Sequence, residues 1–154
     1  MTFRFATVSE CPLLGELNYQ LIRDEGHRNK MTPVELAGRM EEWLSNEYRA
    51  VIFEDAAEMV GYALFRSGEK EIYLRQLFIC PGLRRRGYGR AAVEILRETI
   101  WPKDRRLTVE VLVANKGAVE FWRAMGYRDY ALTLEIVPGD MSGTARRQPR
   151  ATGL

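Results

Sequence analysis

The sequence predicts a mixed α/β fold, in which helices flank a central, mostly antiparallel sheet, in the order β-α-α-β-β-β-α-β-α-β. Short turns join the strands in the first half of the chain, and such turns favour antiparallel pairing. Helical segments precede and follow a later strand at residues 107–113. Because connections of that length indicate crossovers between parallel strands, the sheet should contain both kinds of pairing.

The first third of the chain contains a strand and two helices. Residues 3–8 alternate apolar and polar side chains, which is typical of a half-buried strand. Ser9 can cap a first helix, which ends where the polar residues 24–30 predict a loop. Thr32 and Glu35 have the spacing of a capping box and predict the start of a second helix.

The middle of the chain contains a hairpin, a third strand of the sheet and a helix. Apolar runs at residues 49–53 and 59–65 are separated by polar residues and predict a hairpin. Residues 71–79 predict the next strand, which the Pro-Gly pair at residues 81–82 ends. Apolar side chains at helical spacing predict a helix over residues 87–101.

The remaining elements are two strands around a short helix. Residues 107–113 form a nearly continuous apolar run that suits a strand covered on both faces. Asn115 can cap a short helix that Gly126 ends. Residues 127–137 then predict a final strand, which closes the domain.

Length and composition favour one domain, at residues 1–137, followed by a basic tail at residues 138–154 that lacks apolar periodicity and should be disordered. The tail accounts for the formal net charge of +2, so the domain is neutral and is a poor candidate for binding nucleic acid. The sequence has no run of about 20 apolar residues and no export signal, so we expect a cytoplasmic protein that does not bind membranes.

Cysteine and histidine are too sparse for a metal centre. Cys11 and Cys80 are the two cysteines, and His27 is the single histidine. No CxxC spacing or histidine cluster occurs, so the sequence predicts no metal site and no disulfide.

The most informative segment, residues 77–91, runs from a strand through a turn into a helix. Gly87 and Gly89 leave the free amides of the first helical turn open to an anion, and the helix dipole favours negative charge there. The arginines around this point are Arg84, Arg85, Arg86 and Arg90. This arrangement predicts a diphosphate site, whereas the alternative is a solvated helix start in which the glycines serve only the turn.

Two motifs give the chain a resemblance to the Gcn5-related N-acetyltransferase (GNAT) family. The first motif is matched in order and spacing by Ile79, Arg84, Gly87 and Gly89. The second is matched by Asn115, Ala118, Phe121, Trp122, Gly126 and Tyr127. The element order over residues 3–137 also agrees with the family, and the specific motifs lie within residues 71–127.

The resemblance implies a GNAT-type sheet in which the strands at residues 71–79 and 107–113 splay apart and admit acetyl-CoA as cosubstrate. Backbone groups of one strand would pair with the pantetheine arm, and amides of the following turn would hold the pyrophosphate. The implied cofactor-binding residues are Phe78, Ile79, Leu83, Arg84, Arg85, Arg86, Gly87, Tyr88, Gly89, Arg90, Asn115 and Trp122.

The implied reaction is acetyl transfer to a primary amine by direct attack within a ternary complex. Trp122 stands where many members carry a tyrosine acid, and Tyr73 where histone-modifying members carry a glutamate base. The candidate catalytic residues are Glu71, Tyr73 and Tyr127, although Glu71 is equally well explained as a solvated strand end. The missing acid and base leave an alternative function open, that of a catalytically weak acyl-CoA-binding regulatory module.

The loop between the first two helices borders the acceptor pocket in similar proteins. It contains Asp24 and Glu25, whose carboxylates suit a cationic amine, and His27, which could act as a general base or lie at the surface. The expected acceptor is a small-molecule or peptide amine. Its identity and the formation of a homodimer stay open.

Overall fold

The computed structural model describes residues 1–139 and has the mixed α/β fold predicted from the sequence. The strands are β1 (Thr2–Phe5), β2 (Tyr48–Asp55), β3 (Glu58–Ser67), β4 (Glu71–Ile79) and β5 (Arg106–Val109). The helices are α1 (Cys11–Glu25), α2 (Pro33–Leu44), α3 (Tyr88–Ile95) and α4 (Lys116–Ala124). The five strands lie side by side in chain order, and every neighbouring pair is antiparallel except β4 and β5, which are parallel.

Each face of the sheet carries its own core. On one face, apolar residues of α1 and α2, such as Leu14 and Met40, pack against Tyr62 and Phe78. On the other face, Val93 of α3 and Trp122 of α4 belong to a second buried cluster. Because strand side chains alternate between the two faces, the sheet residues can fill both cores at once.

The helix starts confirm two of the three predicted caps. Thr32 Oγ1 accepts a hydrogen bond from the Glu35 amide at 3.2 Å, and Asn115 Oδ1 accepts one from the Ala118 amide at 3.2 Å. The prediction for Ser9 is wrong. The Glu10 carboxylate accepts a hydrogen bond from the amide of Thr7 at 2.8 Å, and the chain makes a 3-10 turn before α1 begins at Cys11.

A β-bulge in β4 places two consecutive polar side chains on one face of the sheet. Leu64 of β3 pairs with Gln76, whereas Phe65 pairs with Leu74, so Arg75 is the extra residue. The hydroxyl of Tyr62 donates a hydrogen bond to Gln76 Oε1 at 2.8 Å, and both residues are buried. Arg75 Nη1 donates to the hydroxyl of Tyr48 at 3.4 Å. Tyr48 and Tyr62 belong to the core beneath α1 and α2, so Arg75 and Gln76 both point to that side.

Replacing Tyr62 with phenylalanine is expected to lower the free energy of unfolding by about 1–3 kcal/mol, because the buried Gln76 oxygen would lose its donor. Urea denaturation measures this change. Tyr130→Phe is the matched control, since Tyr130 is 86% exposed, and it should stay within about 0.5 kcal/mol of the parent. Equal losses in both variants would contradict a stabilising role for the buried bond.

The structure corrects the final part of the predicted element order. The predicted strand at residues 127–137 is wrong, since within residues 1–139 no segment after α4 is a strand. Its alternating apolar side chains are exposed: Tyr130, Leu132, Leu134 and Ile136. Alternation suits a strand, but a strand forms only where a neighbouring backbone accepts its hydrogen bonds. The chain here is held instead by side chains, as in the ion pair of Arg28 with Glu135 at 2.8 Å.

Three further predicted elements differ in length. The strand expected at residues 3–8 ends at Phe5. The strand expected at residues 107–113 is paired only as far as Val109. The helix expected at residues 87–101 is α-helical to Ile95 and then widens into a π-helical turn, Leu96–Ile100. Most of the predicted tail, residues 140–154, lies outside the described residues. None of the helices in residues 1–139 is long and apolar enough to cross a membrane.

Candidate active site

A gap opens between β4 and β5 because their pairing stops halfway along β4. The register runs from Glu71 opposite Arg106 to Leu74 opposite Val109. Beyond that point no strand within residues 1–139 pairs with β4 on this side, so the edge of residues 75–79 faces the gap. Such an edge presents alternating N–H and C=O groups, which can pair with an extended ligand as with another strand.

A turn rich in glycine and arginine, which we call the cradle (residues 81–90), follows the end of this open edge. Arg85 and Gly87 have left-handed backbones, with φ of 64° and 83°. The amide of Ala91 is the first to make a helical bond, to the Gly87 carbonyl at 3.0 Å. Within residues 1–139 the backbone amides from Arg85 to Arg90 have no hydrogen-bond acceptor. A row of open amides at a helix N-terminus is suited to an anion such as a diphosphate.

Arg84 ties the cradle to the rest of the domain. Its Nε donates a hydrogen bond to the Ile79 carbonyl at 2.8 Å, and its Nη2 donates to Asp24 Oδ2 at 2.6 Å. The two side chains are only 15% and 26% exposed. This ion pair joins the end of α1 to the start of the cradle, so Arg84 and Asp24 hold the turn in place. Arg85 and Arg86 are exposed beside the open amides.

The other predicted cofactor residues surround the cradle and the gap. Phe78 and Ile79 are buried, one in each core. The Cys80 amide donates a hydrogen bond to the Val60 carbonyl of β3, and antiparallel pairs alternate, so the Phe78 backbone groups face β3 and those of Ile79 face the gap. Leu83 packs against the core beneath α3. The hydroxyl of Tyr88 donates to Asp55 Oδ2 at 2.7 Å, and this bond raises the pKa of Tyr88. Arg90 forms an exposed ion pair with Glu94, at 3.8 Å.

A cavity of about 210 Å³ lies between α1, the splayed strands and α4. Asn115 and Trp122 line it from the α4 side. Asn115 is 3% exposed and uses its side-chain oxygen as a helix cap, which leaves its Nδ2 donors for a ligand. Trp122 is 5% exposed and its indole ring packs edge-on against Tyr127, with ring centroids 5.2 Å apart.

The loop after α1 brings two of the predicted acceptor residues to the same cavity. Gly26 has a left-handed backbone with φ of 72°, and His27 N–H donates to the Ile22 carbonyl at 3.0 Å, which turns the chain back. His27 Nε2 then lies 2.9 Å from Glu25 Oε2, and both side chains line the cavity. A histidine held by a carboxylate in this way can accept a proton through its other ring nitrogen.

The three candidate catalytic residues have different positions. Tyr73 lines the cavity, and both burial and the nearby Glu110 raise the pKa of its hydroxyl. Glu71 forms an ion pair with Arg106 at 2.7 Å and lies outside the cavity wall. The Tyr127 hydroxyl also lies outside it, and within residues 1–139 this buried group has no hydrogen-bond partner. Burial raises the pKa of Tyr127.

Sequence reasoning missed several polar residues of the cavity, among them Asn18 and Arg39 on the first two helices. Asn18 is 1% exposed, and its Oδ1 accepts a hydrogen bond from Arg39 Nη2 at 3.1 Å. The sequence pattern could have identified both residues, because each one interrupts the apolar stripe of its helix. Arg39 lies three residues after Leu36 and four before Trp43, on the face that should be apolar.

Comparisons with known proteins agree with the fold and the motifs. Residues 17–127 match the acetyltransferase (GNAT) family. No curated protein sequence matches the chain.

Several solved structures share the fold. An acetyltransferase from Thermus thermophilus is 24% identical, with a TM-score of 0.68, over 83% of this chain and 88% of that one. A Clostridium acetobutylicum protein solved with acetyl-CoA is 16% identical, with a TM-score of 0.69, over 88% and 95%. An aminoglycoside acetyltransferase from an uncultured soil metagenomic sample, solved with sisomicin, is 14% identical, with a TM-score of 0.67, over 88% and 95%. From the matched residues and the splayed sheet, we conclude that the chain belongs to the GNAT acetyltransferase family.

Proposed function

We propose that the chain is an acetyl-CoA-dependent N-acetyltransferase that acts on a primary amine by direct attack within a ternary complex. The observation that carries this proposal is that the cradle amides follow the open edge of β4, and that residues 73–77 of the same strand line the cavity. Structural relatives bound to acetyl-CoA and to an aminoglycoside support the same pairing of cosubstrate and amine.

The residues present suit acetyl-CoA, which supplies an acetyl thioester. The amides from Arg85 to Arg90 would hold the pyrophosphate, with Arg85 and Arg86 adding positive charge. The open edge of β4 and the Nδ2 group of Asn115 would bind the amide groups of the pantetheine arm. Trp122 would form an apolar wall of the cavity beside the pantetheine arm.

At the acceptor end, the amine must lose a proton before its nitrogen can attack the thioester carbonyl. The C–N bond forms as the C–S bond breaks, and CoA would leave as a thiolate, which an ordinary thiol pKa of about 8.5 allows without a protein acid. An alkyl ammonium group has a pKa of about 10.4, so little of it is neutral at pH 7. We assign the role of proton acceptor to His27, whose imidazole is oriented by the Glu25 carboxylate at 2.9 Å. Tyr73 keeps its own proton because its pKa is raised, so its hydroxyl can donate a hydrogen bond inside the cavity.

The two cysteines favour direct attack over an acyl-enzyme. Burial raises the pKa of both Cys11 and Cys80, so both thiols stay protonated near neutral pH. Neither residue lines the cavity, and the Cys80 thiol donates to the Met59 carbonyl at 3.6 Å. A protonated thiol is a poor nucleophile, so a cysteine-bound intermediate is disfavoured.

A second candidate function is an acyl-CoA-binding regulatory module with little turnover. Trp122 supports it, because an indole lines the slot where many members carry a tyrosine acid, and indole cannot supply a proton. Thiol release from acetyl-CoA, measured over a chemically diverse set of primary amines, separates the two functions. We expect release with at least one amine class and intersecting initial-rate patterns. Tight acetyl-CoA binding without release on any amine would favour the module.

Replacing His27 with alanine is expected to lower kcat by about 100-fold at neutral pH, because the general base is lost. The loss should shrink as pH rises toward the pKa of the amine, since the amine then deprotonates without help. Acetyl-CoA affinity should change less than about twofold, because His27 lies outside the cradle. The control is Arg28→Ala, which changes the neighbouring side chain that lies outside the cavity wall. A pH-independent loss, or an equal loss in the control, would refute the assignment of the base.

A further inference from the structure

Two arginines line the acceptor cavity without a carboxylate partner. Arg39 projects from α2 and Arg75 from the bulge of β4. Glu25 and Glu110 line the same cavity, yet within residues 1–139 no carboxylate oxygen lies within 4.0 Å of either guanidinium group. The cavity therefore holds positive charge that the described part of the protein does not neutralise by direct contact.

Both guanidinium groups are held in place by the same aromatic ring. The Arg39 and Arg75 guanidinium carbons lie 4.3 Å and 4.5 Å from the centroid of the Trp43 ring. Arg39 also donates to Asn18, and Arg75 to Tyr48 at 3.4 Å. These contacts fix the two groups and use few of the five N–H donors that each of them carries.

Within the described part of the chain, stacking on Trp43 leaves a hydrogen-bond donor of Arg39 unpaired and the positive charge of both arginines without a counter-ion. The Nε of Arg39 is buried and has no hydrogen-bond partner in residues 1–139. Burial lowers the pKa of Arg39, and the positive charge of Arg75 lowers it further. Two like charges near one ring repel each other, and a partly buried cation without a counter-ion is costly. An anion bound in the cavity, which both arginines line, would offset both effects.

We propose that Arg39 and Arg75 bind a carboxylate of the acceptor, so that the substrate is an amine that also carries a carboxylate, as in a free amino acid. This inference rests on the proposed function and specifies its acceptor. Guanidinium groups match the two oxygens of a carboxylate through paired hydrogen bonds. A phosphate offers similar oxygens, but its second negative charge would face Glu25 and Glu110 in the same cavity.

The test measures equilibrium binding to the protein loaded with CoA, which carries no acetyl group and cannot react. The probes are matched pairs, alanine with alaninamide and 4-aminobutyrate with butylamine. 2-Aminoethylphosphonate tests the phosphate-like alternative, and sisomicin is a polycationic amine. We expect each carboxylate to bind at least about tenfold more tightly than the matched amine that lacks a carboxylate, which is typical of hydrogen bonds to charged groups. Sisomicin should bind more weakly than both carboxylates.

Arg75→Gln is the main variant, because Arg75 is exposed and its loss leaves the core intact. This variant should lose most of the preference for the carboxylates, and Arg75→Lys should retain part of it. Arg49→Gln is the matched control, since the Arg49 guanidinium carbon lies 3.9 Å from the centroid of the Phe5 ring and outside the cavity wall. Arg39→Gln, in α2, should also reduce the preference for the carboxylates, and a thermal melt shows whether this variant folds.

The outcomes separate this inference from the proposed function. Equal affinity for carboxylates and their counterparts, or an unchanged preference in Arg75→Gln, would overturn the inference. Tighter binding of the phosphonate would overturn the choice of a carboxylate. If the carboxylates bind as expected but thiol is never released from acetyl-CoA, the inference stands and the transferase proposal fails. If thiol is released as fast with alaninamide and butylamine as with alanine and 4-aminobutyrate, the inference fails and the transferase proposal stands.

Discussion

Replacing Gly89 with leucine is expected to lower the affinity for acetyl-CoA by about 100-fold, the upper end of what overpacking costs. A methyl group at position 89 would lie 3.3 Å from Cε2 of Phe121 and 4.0 Å from Cγ1 of Ile79. The larger leucine side chain would therefore fill the space between α4 and the end of β4, beside the open edge. Gly89 does not have a left-handed backbone, so the loss would arise from occupied space and not from strain.

The matched control is Gly82→Leu, in the same cradle. A methyl group at position 82 meets no atom within 4 Å, so this variant should bind acetyl-CoA within about threefold of the parent, the usual range for an open surface site. Calorimetric titration gives the two affinities, and thermal melts show whether both variants fold. Equal affinities in two folded variants would mean that bound acetyl-CoA does not lie against Gly89.

Replacing Gly61 with alanine is expected to lower the free energy of unfolding by about 3 kcal/mol or more, because the new methyl group cannot be accommodated. It would lie 1.9 Å from the Phe78 carbonyl oxygen and 2.9 Å from the carbonyl carbon. Both atoms belong to the backbone of β4, so relief requires the two central strands to separate. The Phe78 carbonyl faces β3, so its displacement would weaken the pairing of the two strands.

The same substitution at Gly38 should have the opposite sign. Gly38 is exposed in the interior of α2, and a methyl group there meets no atom within 4 Å. Alanine should therefore stabilise the helix by about 0.5–1 kcal/mol. Urea denaturation of both variants measures the difference. A Gly61→Ala protein within about 0.5 kcal/mol of the parent would contradict the close approach of β3 and β4.

The features that the sequence predicted well depend on residues close together in the chain. The cap at Thr32 involves Glu35, and the cap at Asn115 involves Ala118. The cradle likewise follows from consecutive residues, because a turn that ends in a helix leaves its first amides open wherever it lies in a fold. The resemblance to the GNAT family rested on motifs of this local kind, and the family match over residues 17–127 confirms it.

The final strand shows where local pattern is insufficient. Residues 127–137 have the composition of a strand, but pairing requires a neighbouring backbone in register, and that depends on where β5 ends. The bulge at Arg75 could not be predicted for a similar reason. It arises from the register between β3 and β4 and turns Arg75 and Gln76 to the same face. A strict alternation would have separated them.

By itself the sequence determined most of the elements, the turn with open amides and the family, because each of these is encoded by side chains a few positions apart. Only the tertiary structure decided which distant residues share the cavity. It joined Arg84 to Asp24, 60 positions away, and set Arg39 and Arg75 beside Trp43. Contacts of this kind depend on helix packing and strand register, and these are set by many small interaction energies spread over the whole chain. The proposed acceptor site is therefore a property of the fold, whereas the proposed cofactor site is largely a property of one segment.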